Sequence, residues 1–161
     1  MPDVDEVKRG IDVASGFIAY RMRSEYEVRR RLRQAKITDE ASVEAIERLK
    51  EMGLVDDRAF AAAYARDQIS RLKRGPLRVA NGLRTLGVPN EFAQAAVAET
   101  VAQNDPFEIA LAAAQRRWAQ LSRIDDVKKR KKRVYEFLVR RGFEYGDALK
   151  ITDMLEREDS D

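Results

Sequence analysis

Apolar residues recur every three or four positions along most of the chain, and no stretch of strict alternation bounded by turn residues interrupts them. A period near 3.6 predicts helices and argues against strands. Pro76, Pro89 and Pro106 each open an apolar-periodic stretch, where a missing N–H costs nothing, and Gly53, Gly87 and Gly142 each close one. Ser24 with Glu27 and Asp105 with Glu108 have the spacing of a capping box. The pattern predicts nine helices over residues 4–20, 24–36, 38–52, 56–72, 76–86, 89–103, 105–121, 125–141 and 144–157.

Nine helices conceal a repeat. Val28, Leu32 and Ile37 recur as Val79, Leu83 and Val88, and again as Val134, Leu138 and Phe143, with offsets of 51 and 55 residues. In each copy the first two residues share a face of a second helix and the third begins the turn into the next helix. Gly87 and Gly142 precede that turn residue, where positive φ is often needed; Lys36 holds the place in the first copy. The expected fold is all-α, an elongated array of three tandem three-helix repeats of helix-turn-helix type, over 1–53, 54–104 and 105–161. Units of about 50 residues rarely stand alone, so neighbours should stack.

Composition fits thin, closely packed helices: the 161 residues include 22 Ala and 12 aromatics. There is no Cys and no His, which excludes disulfides, thiol chemistry, Cys/His zinc sites and imidazole acid-base schemes. No apolar run approaches a membrane span, and Met1 to Glu6 does not resemble a secretion signal, so a cytoplasmic protein is expected. The net charge of +3 is less informative than its distribution. Arg21 to Lys36 holds seven bases and two acids, and Asp39 to Asp57 seven acids and two bases. Six bases and one acid follow from Arg66 to Arg84, then no Lys or Arg from Thr85 to Gln115. Nine bases and three acids lie in Arg123 to Arg141, and seven acids and two bases in Glu144 to Asp161.

Particular residues sharpen the picture. Tyr20-Arg21-Met22-Arg23-Ser24-Glu25 is followed by Glu27-Val28 and Leu32, then by Gly53-Leu54-Val55-Asp56-Asp57 with Phe60 and Tyr64. Arg74-Gly75-Pro76, Leu83 with Gly87-Val88, and Arg140-Arg141-Gly142-Phe143 complete the set. Over residues 14 to 156 the chain resembles the RecX family, bacterial regulators of the RecA recombinase. It departs at Ala35-Lys36-Ile37, where the family tends to have Lys-Gly-aromatic. The resemblance implies a protein that binds the RecA filament on single-stranded DNA, lodges in its helical groove, and dampens ATP hydrolysis, strand exchange and filament growth.

The residues themselves suggest where a partner would be met. On a helical wheel Val28, Leu32 and Ala35 cluster, while Arg29, Arg30, Arg33 and Lys36 occupy the opposite arc and can meet phosphates or an acidic protein surface. Such a run is equally the pattern of an ordinary solvated face. Arg21 and Arg23 flank a helix start, where the dipole disfavours cations, so a partner or an acid elsewhere in the chain should compensate them. Lys128, Lys129, Arg130, Lys131, Lys132 and Arg133 run through the whole circumference of a helix, so either its start overhangs the bundle or the stems snorkel beside Val127 and Val134. Arg140 and Arg141 complete the candidate partner-binding set. Trp118 and Tyr135 could stack on bases, though helical spacing favours the core. Phe60 and Tyr64 read as core, and Asp56-Asp57 as a helix cap rather than a metal site.

No catalytic, metal or cofactor site is expected, and no phosphate-cradling Gly-x-x-x-x-Gly-Lys loop exists, so ATP turnover would belong to the partner. The leading expectation is a non-enzymatic, monomeric regulator with weak direct DNA binding at most. The alternative is an independent helix-turn-helix DNA-binding protein, against which stands the acidic third helix of each unit. A peptide-binding scaffold would leave the charge phasing without a purpose.

Overall fold

The computed structural model describes residues 1–161 and is all-helical. The order is α1 (Val4–Ile18), α2 (Glu25–Gln34), α3 (Asp39–Glu51), α4 (Asp57–Arg66), α5 (Pro76–Thr85), α6 (Asn90–Gln103), α7 (Pro106–Gln120), α8 (Val127–Arg141) and α9 (Tyr145–Ser160). All nine expected helices are present. The fourth differs in its last turn, which widens into a π-helical segment, Asp67–Arg71, where Leu72 N donates to Asp67 O at 3.1 Å.

The chain forms two compact units. The first comprises residues 1–63 and 83–93, the second residues 64–82 and 94–161. In the first, α1, α2 and α3 enclose Val7, Ala14, Val28, Leu32, Ile37, Ala45, Ile46 and Leu49. In the second, α7, α8 and α9 enclose Ala114, Trp118, Val134, Leu138, Phe143, Ala148, Ile151 and Leu155. Small residues let helices approach closely: a Cβ on Gly10 of α1 would lie 3.3 Å from the Ala45 Cβ of α3.

The repeated triplet has a physical meaning. Ile37, Val88 and Phe143 each donate their backbone N–H five residues back, to Leu32, Leu83 and Leu138, at 3.0, 3.1 and 3.2 Å. Lys36, Gly87 and Gly142 donate to Arg33, Arg84 and Val139, each at 3.0 Å. These paired bonds are the Schellman arrangement, which satisfies two otherwise unpaired carbonyls and brings an apolar residue beyond the helix against one in its last turn. The triplet therefore records the Schellman pair plus the apolar residue one turn earlier.

The residue at the turn must have positive φ, and Lys36 adopts it at 60°, beside 71° for Gly87 and 96° for Gly142. The repeat geometry thus overrides the residue type in the first copy. Side chains are disfavoured there by about 1–2 kcal/mol, partly offset by the greater chain entropy glycine gives up on folding. Lys36→Gly is therefore expected to stabilise the protein by roughly 0.5–1 kcal/mol, seen as a higher urea midpoint with an unchanged slope. An unchanged or lower midpoint would contradict it.

Helix starts follow the capping rules at two of the expected places and depart at a third. Ser24 Oγ accepts from Glu27 N at 3.2 Å, and the Glu27 carboxylate accepts from Ser24 N at 2.9 Å, a complete capping box. Asp56 caps α4, accepting from Ala59 N at 3.0 Å, while Asp57 accepts from Glu25 N at 2.9 Å at the start of α2. At Asp105 the carboxylate accepts from Phe107 N at 3.0 Å and no reciprocal bond to Glu108 forms, so the spacing there gives a simple cap.

Candidate partner-binding surface

In the first unit the cations around α2 divide into two groups. Arg21 donates to Glu27 at 2.6 Å, and Arg23 lies 3.9 Å from the same carboxylate with its guanidinium 4.0 Å from the centre of the Phe17 ring. Glu27, already engaged in the capping box, is the acid that offsets these two cations at the helix start; it comes from α2 itself. Arg29 is held 2.8 Å from Glu25, which also receives Lys50 of α3 at 2.9 Å. Burial pushes the Glu25 carboxyl up, but hydrogen bonds and charge from Lys50 and Arg29 outweigh this and hold it below the usual range.

Arg30, Arg33 and Lys36 are exposed and have no carboxylate within ion-pair distance. Tyr26, Arg30 and Arg33 stand at i, i+4 and i+7, so they share one stripe of α2. Tyr26 is 47% exposed, and its Cβ lies where a side chain on Gly87 would have to go, 2.4 Å away. The stripe thus presents an anchored aromatic beside two unpaired guanidinium groups.

The six-cation block of α8 sorts in the same way, and its start does not overhang. Arg130 is 8% exposed; its guanidinium donates to Asp159 at 2.9 Å and to the Ile124 carbonyl at 2.6 Å, with its centre 5.1 Å from the Trp118 ring. Lys131 sits between Asp153 at 2.5 Å and Glu156 at 2.6 Å, and these hydrogen bonds raise it above the ordinary lysine value. Asp153, Glu156 and Asp159 recur every three residues along the α9 face turned to α8, so the acidic third helix neutralises the inward cations of the second. Lys128, Lys129, Lys132 and Arg133 remain exposed with no carboxylate partner. Trp118, buried beneath Arg130, belongs to the core, and Tyr135 is half-buried.

At the end of α8, Arg140 is exposed while Arg141 turns into a cleft of about 370 Å³ lined also by Lys73, Arg116, Arg117 and Phe137. Lys73, Arg116 and Arg117 are not among the sequence-predicted residues, because they lie on segments some 40 residues apart. One signal is present in the sequence: no acid occurs between Glu108 and Asp125, so the two arginines ending α7 have no local counter-charge.

Comparison with known proteins agrees with the all-helical, three-domain architecture. Three family models match in succession: the first three-helix domain of RecX over residues 12–49, the second over 56–97 and the third over 103–151. The regulatory protein RecX of Geobacillus kaustophilus is 37% identical over 140 residues, covering 86% of this chain and 51% of that protein. The chain thus spans about half the length of that relative. The regulatory protein RecX of Xanthomonas campestris is 33% identical over 146 residues, covering 91% of this chain and 86% of that one. The crystal structure of RecX from Lactobacillus salivarius superposes with a TM-score of 0.81 at 22% identity, covering 96% of this chain and 99% of that chain. With three successive three-helix domains matched in order and a relative of similar length, the chain belongs to the RecX family.

Proposed function

We propose that this chain is a non-enzymatic, monomeric, cytoplasmic regulator of a RecA-type recombinase, binding the filament formed on single-stranded DNA and restraining its ATP hydrolysis, strand exchange and extension. The observation that carries the reading is the sorting of cations on the basic second helices. Arg21, Arg23, Arg29, Arg130 and Lys131 are consumed by the fold, whereas Arg30 and Arg33 on α2, Lys36 in the turn after it, and Lys128, Lys129, Lys132 and Arg133 on α8 are exposed and unpaired. Each of these two groups, one in the repeat 1–53 and one in the repeat 105–161, suits a negatively charged partner surface. No helix of the structure is long and apolar enough to cross a membrane. An independent helix-turn-helix reader fits less well, since α3 opens on Asp39 and Glu40 and would bring carboxylates against phosphate.

The test is single-stranded-DNA-dependent ATP hydrolysis by RecA, measured with this protein and with a variant carrying Gln at 128, 129, 132 and 133. The native protein should inhibit well below the concentration at which it binds bare DNA. Removing four unpaired cations should raise the half-inhibitory concentration by about tenfold or more and flatten its salt dependence. Native protein that binds bare DNA tightly yet leaves hydrolysis untouched would defeat the proposal.

A further inference from the structure

The cleft at the end of α8 is built differently from the exposed faces. Arg116 and Arg117 reach it from the last turns of α7, Arg141 from the end of α8, and Lys73 from the segment after the π-helical turn. No carboxylate lines it, and none of these four cations lies within ion-pair distance of one. Phe137 forms its apolar wall, with the Arg117 and Arg141 guanidinium centres 5.6 and 5.7 Å from the ring centroid.

Two features show that the fold holds these cations in place without neutralising them. The Nε–H groups of Arg117 and Arg141 are both shut off from water and lack any acceptor, which is rare for a buried donor. Lys73 adopts a left-handed backbone at φ 56°, a strain that accumulates at ligand sites. The segment is clamped there by Arg141, which donates to the Leu72 and Lys73 carbonyls at 2.7 and 3.1 Å. Burial, then the nearby charges of Arg78, Arg74 and Arg116, pulls Arg141 below the ordinary guanidinium value, so an anion entering the cleft would relieve a repulsion already present.

We infer that this cleft is a phosphate site that seats one phosphodiester of single-stranded DNA, with Lys73, Arg116 and Arg117 as its donors and Phe137 as the apolar wall for the adjoining sugar. A phosphodiester and a carboxylate each bring one negative charge into the cleft, but the phosphodiester continues into a sugar that can pack on Phe137 and into neighbouring phosphates of the same strand, and guanidinium forks match phosphate oxygens in pairs. This site belongs to the nucleic-acid half of the proposed function, and its test is run without recombinase so that the two can fail separately.

The measurement is fluorescence anisotropy of a labelled twenty-residue oligothymidylate with the full chain over a series of salt concentrations. The double variant Lys73→Gln, Arg116→Gln alters only exposed side chains, and Arg117→Gln is a second, partly buried probe; circular dichroism checks that both remain folded. Each should weaken binding several-fold at low salt and reduce the salt slope by roughly 0.7 for every phosphate no longer neutralised. Unchanged affinity and slope in both folded variants would overturn the assignment. So would displacement of the oligonucleotide by a polyglutamate peptide or by inorganic phosphate at equal charge concentration, since the cleft would then take acidic protein or free oxyanions instead.

Discussion

Gly142→Ala is expected to lower the stability of the protein by about 3 kcal/mol, the sum of a left-handed-backbone cost of about 1–2 and an overpacking cost of about 1–3. At φ 96° and ψ 20°, Gly142 ends α8 in a conformation that side chains rarely adopt. A Cβ there would also lie 2.3 Å from the Arg78 Cβ and 2.5 Å from its backbone nitrogen. The crowding has a reason. Gly75 N donates to the Arg141 carbonyl at 2.7 Å and Leu77 N to the Gly142 carbonyl at 3.0 Å, so the final carbonyls of α8 cap the first free N–H groups of α5. Pro76, between them, has no N–H to satisfy. The negative end of one helix dipole thus meets the positive end of another. Gly75→Ala should be damaging for the same reason, since its Cβ would fall 2.2 Å from the Gly142 carbonyl carbon, and the double variant should lose less than the sum because both act on one joint. Gly16→Ala on α1, with nothing within 4 Å of the added methyl, is the control and should stabilise by about 0.5–1 kcal/mol. Urea unfolding of these variants beside the native chain decides the matter, and equal midpoints for Gly142→Ala and the native chain would refute the account.

Arg130→Met should cost about 2–4 kcal/mol, because it keeps the stem but removes a charge-assisted bond worth about 1.5–3, leaves the partly buried Ile124 carbonyl without its donor, and ends the stacking on Trp118. The side chain donates to Asp159, Ile124 O and, at 3.5 Å, Ser122 O. Its loss would therefore free the turn between α7 and α8 as well as the end of α9. Arg130→Lys should recover only part of the loss, since an ammonium cannot reproduce the planar fork. Asp159→Asn should cost less, the Asp159 side chain being 37% exposed and well solvated. Thermal unfolding ranks the three, and inhibition of recombinase by the folded fraction of Arg130→Met should match that of the native chain. A variant that unfolds normally but no longer inhibits would return Arg130 to the partner surface.

These two residues mark the boundary of what can be read from sequence. The sequence pattern places Arg130 among six cations available to a partner, because a wheel of consecutive charges contains no information about which ones meet an acid 29 residues away on α9. It likewise groups Arg29 with Arg30 and Arg33, although Glu25, one turn earlier, claims it. The cleft is the converse case: Arg116, Arg117 and Lys73 do not stand out as a group in the linear pattern, because convergence is a property of segments folded together.

What the sequence by itself determined is the local order: nine helices, their caps and stops, the recurrence in three copies of a Val and a Leu one turn apart followed by an apolar residue five positions on, and the alternation of basic second helices with acidic third ones. All of these depend on interactions within four or five residues, such as the Schellman bonds and the Ser24 capping box, so a linear pattern suffices to encode them. The tertiary structure alone decided how α8 caps α5 at Gly75 and Gly142, and which cations of α8 are consumed by Asp153, Glu156 and Asp159 of α9 and which stay exposed. The physical reason is that charge pairing falls off over a few ångströms in space irrespective of separation along the chain, so the free cationic surface exists only after the helices have packed.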